Sequence, residues 1–190
     1  LSGFGMVVAG SSAPASGGEH LISHYLDMKH ALYGTKHDLH GVQVGVATVH
    51  TLALWEKVLS MSTADIDARE LAKRQPALKA VRERVMDDWG PKVGKEVMAQ
   101  WRAKAARGKA LRAEINTIKE KLPVLRAQIP RDLLPAGLVA RCIEECGGPA
   151  RPGGMKAPAK EFKKAVKNAR FLRNRFTVLD LAAELGLDHR

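Results

Sequence analysis

The sequence predicts an all-α fold, because its composition favours helices and its prolines and glycines separate helix-like stretches. Ala and Leu are the most frequent of the 190 residues and Lys and Arg are numerous, whereas aromatic residues make up only 5%. These frequent residues are good helix formers, while aromatic residues and runs of β-branched residues, which strands prefer, are scarce. A domain usually holds roughly 100–200 residues, so we expect one helical domain spanning residues 1–190.

The first helix is predicted to begin at Ser16. Ser16 and Glu19 match the S-x-x-E pattern of a capping box, in which two side chains accept backbone N–H groups at the start of a helix. The helix is expected to end near Tyr33, because Gly34 readily adopts the left-handed conformation that terminates many helices.

A polar loop and a second helix are predicted next. Gly34–Gly41 is rich in His, Lys and Asp, and His40 lies near its end. The stretch from Val42 to about Leu59 is mostly apolar, which predicts a buried helix.

The remaining chain is expected to form further helices separated by proline and glycine, which disfavour helix interiors. We predict boundaries at Pro76, in the first helical position, and at Gly90-Pro91, Gly108, Pro123 and Pro130. We predict later helices over Arg131–Cys146, Ala159–Leu172 and Val178–Leu185, the last capped by Thr177. Residues 147–158 contain the most loop-like stretch, Pro149–Pro158, which is short enough to be a surface loop rather than a linker.

The net charge of +11 is compatible with binding to nucleic acid, to an anionic membrane surface or to an anionic small substrate. Acidic residues alternate with the basic ones between residues 65 and 126, as on ordinary solvated helix faces. Aromatic residues that would stack on bases are sparse and not interleaved with the basic ones. Nucleic-acid binding is therefore disfavoured, although a basic helical module that binds nucleic acid or an acidic protein remains the alternative.

Cys142 and Cys146 are predicted to remain free thiols. They lie four residues apart on one predicted helix, where their Cβ atoms are poorly placed for a disulfide, and they favour a reducing, cytoplasmic setting. They do not form a Cys-x-x-Cys pair, which argues against a zinc site made of thiolates. No apolar run approaches the roughly 20 residues that span a bilayer, and no basic-then-apolar leader is expected.

Histidines carry the clearest chemical signal. His20 and His24 are four residues apart, so on a helix their side chains lie about 5–6 Å from each other. The two imidazoles can converge on a divalent cation or a polarised oxygen, and His40 can approach the same target from the next segment. Such a pair also occurs on ordinary polar helix faces. A metallopeptidase is disfavoured, because Leu21 stands where its H-E-x-x-H motif has the catalytic glutamate.

Motifs at both ends of the chain carry a family resemblance. At the start these are Gly10-Ser11-Ser12-Ala13-Pro14-Ala15-Ser16-Gly17-Gly18-Glu19-His20, Ser23-His24, His40-Gly41 and Val44-Gly45-Val46. At the end they are Arg173-Asn174-Arg175-Phe176-Thr177-Val178-Leu179-Asp180-Leu181-Ala182 and Leu185-Gly186-Leu187. The chain resembles the C-terminal domain of the sn-glycerol-1-phosphate dehydrogenases, within the iron-containing and glycerol dehydrogenase superfamily.

The resemblance implies a two-domain cytoplasmic enzyme that works as a homo-oligomer in phospholipid biosynthesis. Its N-terminal α/β domain, absent from this chain, would bind NAD(H) or NADP(H), and this helical domain would be inactive alone. A divalent metal (zinc, nickel or iron) would lie between the domains, held by an Asp of the N-terminal domain and by His20 and His40. His24 would lie beside the substrate as a proton relay, or would orient a substrate hydroxyl. The implied reaction is the reduction of dihydroxyacetone phosphate to sn-glycerol 1-phosphate.

One departure from the family pattern concerns the substrate phosphate. Family members commonly carry Arg where this chain has Ala13. We expect the phosphate contacts to come from Ser16, from Lys36, and from the N–H groups of Gly17 and Gly18 at a helix N-terminus.

Overall fold

The computed structural model describes residues 7–10 and 16–187, and in residues 16–187 it shows helices joined by short turns. The helices are α1 (Gly18–Tyr33), α2 (His40–Ser60), α3 (Ala68–Arg74), α4 (Leu78–Lys104), α5 (Lys109–Gln128), α6 (Ala136–Glu145), α7 (Ala159–Asn168) and α8 (Val178–Glu184). Single 3-10 turns occur at Thr63–Asp65, Ile129–Arg131, Pro152–Gly154 and Ala169–Phe171. These described residues contain no strand, so the all-α prediction is confirmed.

Several predicted boundaries are confirmed. Gly34 ends α1 with φ +65°, in the left-handed region that favours glycine. Gly108, with φ +56°, precedes α5. At α8, Thr177 and Asp180 form a complete capping box: the Thr177 hydroxyl accepts the Leu179 N–H, and the Asp180 carboxylate accepts the Thr177 N–H.

The start of α1 and the loop after it differ from the prediction. The N-cap is Gly17 rather than Ser16, and no side chain caps it in the way predicted for Ser16. The Glu19 carboxylate accepts the Gly17 N–H at 3.0 Å, while the Ser16 carbonyl accepts the Arg175 guanidinium at 2.6 Å. The predicted loop is also shorter, because His40 is the first residue of α2.

Proline positions account for the other differences. Pro123 does not end a helix but lies inside α5. The neighbouring Leu122 is fully buried and holds this turn of the helix against the core. Pro76 lies two residues before α4 instead of in its first position. Pro91 follows Gly90, whose φ of +67° kinks α4 at the predicted place.

In the last third of the chain, α6 begins later and α7 ends earlier than predicted. α6 begins at Ala136 after Pro135, not at Arg131, which belongs to a 3-10 turn. α7 ends at Asn168, and the chain continues into a 3-10 turn as far as Phe171. Cys142 and Cys146 are free and exposed, as predicted.

Two groups of buried apolar side chains hold the helices together. The larger group joins α1, α2, α4, α7 and α8, and in it Tyr25 of α1 contacts Trp89 of α4 edge to face, with ring centroids 4.8 Å apart. The smaller group joins the end of α2 to α3, α5 and α8 around Ile115 and Leu122. Within residues 7–10 and 16–187, no helix is long and apolar enough to cross a membrane.

The segment between α6 and α7 packs against the loop that precedes α2. Ala150 and Ala157 are buried. The Asp38 carboxylate accepts the backbone N–H groups of Lys156 and Ala157 at 3.0 and 2.9 Å. Asp38 is itself buried, so this contact fixes the loop immediately before His40.

Candidate active site

The structure brings together the three histidines that the sequence singled out. His20 and His24 lie one turn apart on α1, and His40 approaches them from the first turn of α2. The ring centroids are 6.3 Å apart for His20 and His24, 5.4 Å for His20 and His40, and 5.7 Å for His24 and His40. Three imidazoles therefore border one small volume at the start of these helices.

A carboxylate fixes the ring of His20. Its Nδ1 lies 3.0 Å from Oε1 of Glu19, the same carboxylate that accepts the Gly17 N–H. Because a carboxylate only accepts hydrogen bonds, Nδ1 carries the proton. The other ring nitrogen, Nε2, then keeps its lone pair in the neutral ring.

The ring of His40 is fixed through two buried polar side chains. Its Nδ1 lies 2.9 Å from Oγ of Ser23, and Ser23 donates its only hydroxyl hydrogen to Oε1 of Gln43 at 2.8 Å. The Ser23 oxygen must therefore accept from His40 Nδ1–H, which leaves His40 Nε2 with a lone pair. The Gln43 amide is oriented in turn by donating to Asp27 and to the Asp38 carbonyl, at 3.0 and 2.8 Å.

His24 differs from the other two because its surroundings favour the neutral ring. Partial burial lowers the pKa of His24, and the neighbouring His40 lowers it further, while Asp27 acts in the opposite direction. The imidazole is therefore neutral at pH 7 and carries both a hydrogen-bond donor and an acceptor. Such a group can orient a hydroxyl or exchange a proton with it.

The residues present fit two ligands of a metal site but not a complete site. Metal-binding histidines usually donate their second ring N–H to a carboxylate or another oxygen, which fixes the ring and raises the basicity of the ligating nitrogen. His20 and His40 both show this arrangement. Within the described part of the chain, no group of three or more His, Cys, Asp or Glu side chains is placed to hold a metal ion by itself.

The residues expected to bind the phosphate are less well placed. The Gly17 N–H already donates to Glu19 and is not free for an anion. Gly18 is buried, and a Cβ atom there would come within 3.1 Å of Leu179, so this glycine permits close packing against α8. Lys36 is exposed in the loop, and Ser16 contributes its carbonyl to Arg175. Ala13 lies outside the described residues.

Sequence reasoning missed Ser23, Asp27 and Gln43 as part of the site. Ser23 stands directly before His24 and lies one helical turn from Asp27, a spacing that could have suggested a shared polar face. Nothing in the sequence around Gln43 marks it as a partner of residues on α1. Its role follows only from the packing of α1 against α2.

Comparison with curated proteins finds glycerol-1-phosphate dehydrogenases (NAD(P)+) from bacteria and archaea. The protein of Bacillus licheniformis is 36% identical over 101 residues, which cover 53% of this chain and 22% of the relative. That of Methanococcus maripaludis strain C5 is 43% identical over 81 residues, covering 42% and 23%. That of Halorubrum lacusprofundi is 56% identical over 50 residues, covering 26% and 13%.

The chain matches only about a fifth of the length of the Bacillus licheniformis protein. No family model matches the chain, and the comparison with solved structures gave no match. The relatives agree in being one kind of enzyme, at 36–56% identity over partial stretches. Over these partial stretches, the chain is similar to glycerol-1-phosphate dehydrogenases.

Proposed function

We propose that this chain is the metal- and substrate-binding domain of an enzyme that reduces dihydroxyacetone phosphate to sn-glycerol 1-phosphate with NADH or NADPH. The similarity to glycerol-1-phosphate dehydrogenases supports the oxidoreductase chemistry. The observation that carries the assignment of the site is the pairing of His20 with His40. Their rings are 5.4 Å apart, and the Nδ1 atom of each is held by an oxygen.

In this proposal, His20 and His40 offer their Nε2 atoms to one divalent metal, which is zinc, nickel or iron. The remaining protein ligand and the NAD(P)H site come from the rest of the whole protein. When bound, the metal polarises the substrate carbonyl as a Lewis acid, and the nicotinamide supplies hydride. The residues of this chain supply orientation: Glu19 and Ser23 keep both rings in the tautomer that can ligate.

His24 completes the proposed site without acting as a ligand. Its ring is neutral near pH 7 because burial lowers its pKa. It can therefore hydrogen-bond a substrate hydroxyl, or hold the proton that the product oxygen requires. The substrate carbonyl would lie within the volume that the three rings border.

The test is a turnover assay with the full-length protein. We expect oxidation of NADH or NADPH that depends on dihydroxyacetone phosphate, loss of this activity after treatment with a chelator, and recovery on adding back a divalent metal. Boiled protein and substrate-free reactions serve as controls. Absence of turnover with both cofactors, together with duplex DNA binding that weakens steeply with salt, would support the basic binding module instead.

A further inference from the structure

A cleft of about 300 Å³ opens beside His24 on the outer side of α1. Its walls come from α1, α4 and the segment that follows α7. Apolar side chains, among them Leu21 and Leu172, form most of the surface, and the polar groups are His24, Glu96, Gln100 and Arg173. We name this space the His24 cleft.

Arg173 is the cationic group of the His24 cleft. Its side chain is exposed, and no hydrogen bond or ion pair within residues 16–187 involves its guanidinium. Arg173 is close enough to His24 to contribute to the lowered pKa of that imidazole. A guanidinium offers planar paired donors that match the oxygens of a phosphate.

Gln100 provides a second donor in the same cleft. Its Oε1 accepts the backbone N–H of Asn174 at 3.3 Å, which directs the oxygen toward the backbone beside Arg173. The amide NH₂ group of Gln100 then remains available to a ligand. Glu96 is the one acidic group among the described residues of the lining, and it is exposed, so solvent and salt screen its repulsion of an anion.

We propose that the His24 cleft binds the phosphate group of the substrate, with Arg173 and Gln100 as its donors. The inference rests on the proposed function and adds a phosphate site to it. The cleft shares His24 with the three-histidine site, so a short phosphorylated ketone can place its carbonyl among the imidazoles and its phosphate against Arg173. Lys36 and the N–H groups of Gly17 and Gly18 are then not needed as phosphate donors.

The test compares substrates with and without the phosphate in the full-length protein. In an Arg173→Ala variant we expect KM for dihydroxyacetone phosphate to rise about 10- to 100-fold, as for the loss of charged hydrogen bonds. The kcat/KM for unphosphorylated dihydroxyacetone is expected to change less than about threefold. Arg173→Lys keeps the charge and is expected to recover part of the loss. Lys95→Ala removes an exposed charge from the same helix as Gln100 without touching the cleft, and it is expected to leave both substrates unaffected.

Binding of inorganic phosphate gives a readout that does not depend on turnover. By titration calorimetry we expect the parent and the Lys95→Ala variant to bind phosphate, and the Arg173→Ala variant to bind it at least about tenfold more weakly. Equal losses on both substrates, or unchanged KM and phosphate binding in Arg173→Ala, would overturn the phosphate site. A third outcome separates the two proposals. If the parent reduces neither substrate but binds phosphate, and Arg173→Ala no longer binds it, the proposed reaction is wrong and the anion site stands.

Discussion

Ser23 controls the orientation of His40 through a single hydroxyl hydrogen. That hydrogen is donated to Gln43, so the Ser23 oxygen is left to accept the ring N–H of His40. The pairing of His20 and His24 could be predicted from sequence because it depends only on the local helical repeat. The link from Ser23 to Gln43 could not, because it spans 20 residues and depends on how α1 packs against α2.

The ligand assignment predicts that His20→Ala removes metal and activity together. In the proposed site, the variant loses one of the two imidazoles that this chain contributes, and the ligands that remain are too few to retain the ion. Metal content by atomic emission spectrometry of the purified full-length protein checks this. The nearby His30→Ala variant is the control, because His30 stacks on His37 at the far end of α1. Stoichiometric metal in His20→Ala would show that the ligand is a different residue.

His24→Ala is expected to retain the metal while kcat/KM falls. In the proposed site, the side chain contributes orientation and proton exchange rather than ligation, and loss of a true acid or base typically lowers the rate about 10²–10⁴-fold. Metal analysis and steady-state kinetics on the same preparation separate the two effects. Loss of metal would make His24 a ligand, and unchanged kinetics would make it a structural residue.

Among the features of individual helices, N-caps were easier to predict from the sequence than the places where proline breaks a helix. The Thr177–Asp180 box lies within four residues and needs no tertiary information. Pro123 was predicted as a break from local propensity alone, but the buried Leu122 keeps α5 continuous through it. At α1 the N-cap is Gly17 rather than Ser16, and the Ser16 carbonyl accepts a hydrogen bond from Arg175, far along the chain, which local sequence does not reveal.

Thr177→Ala is expected to destabilise the fold by about 0.5–2 kcal/mol, the usual cost of removing an N-cap hydroxyl. The loss arises because the Leu179 N–H is left without its acceptor at a partly buried helix end. Urea denaturation of the variant and the parent measures the difference. Thr117→Ala is the matched control, since that hydroxyl is exposed and bonds only to its own helix. Equal midpoints for Thr177→Ala and the parent would show that the cap contributes nothing.

For the molecule as a whole, several charged side chains are buried together between α4, α5 and α8. Lys104 pairs with Asp180 at 2.8 Å, and Arg170 and Glu184 lie nearby. Burial, reinforced by the neighbouring Glu114, raises the pKa of Glu184 from 4.5 to about 8. Glu184 Oε2 is buried and accepts no hydrogen bond within the described structure, which agrees with a carboxyl group that keeps its proton.

The raised pKa of Glu184 predicts a loss of stability with rising pH. The folded state holds a proton that the unfolded state releases above 4.5, so the favourable contribution is complete below pH 4.5 and is lost up to about pH 8. The unfolding free energy of the parent, measured relative to that of Glu184→Gln, is therefore expected to fall as the pH rises across this range. Chemical denaturation at several pH values measures it, and parallel pH curves for the two proteins would rule the effect out.

The contact of Asp38 with Lys156 and Ala157 has a consequence for the order of assembly. It joins residues 118 and 119 positions apart in the chain, directly beside the residue that begins α2. During synthesis, the hairpin of α1 and α2 leaves the ribosome long before the segment that fixes its loop. The loop directly before His40 therefore gains this contact only after the segment that follows α6 has been made. Under the proposed assignment of His20 and His40 as ligands, metal binding is then coupled to folding of that later segment, and a nascent chain is a poor competitor for the ion.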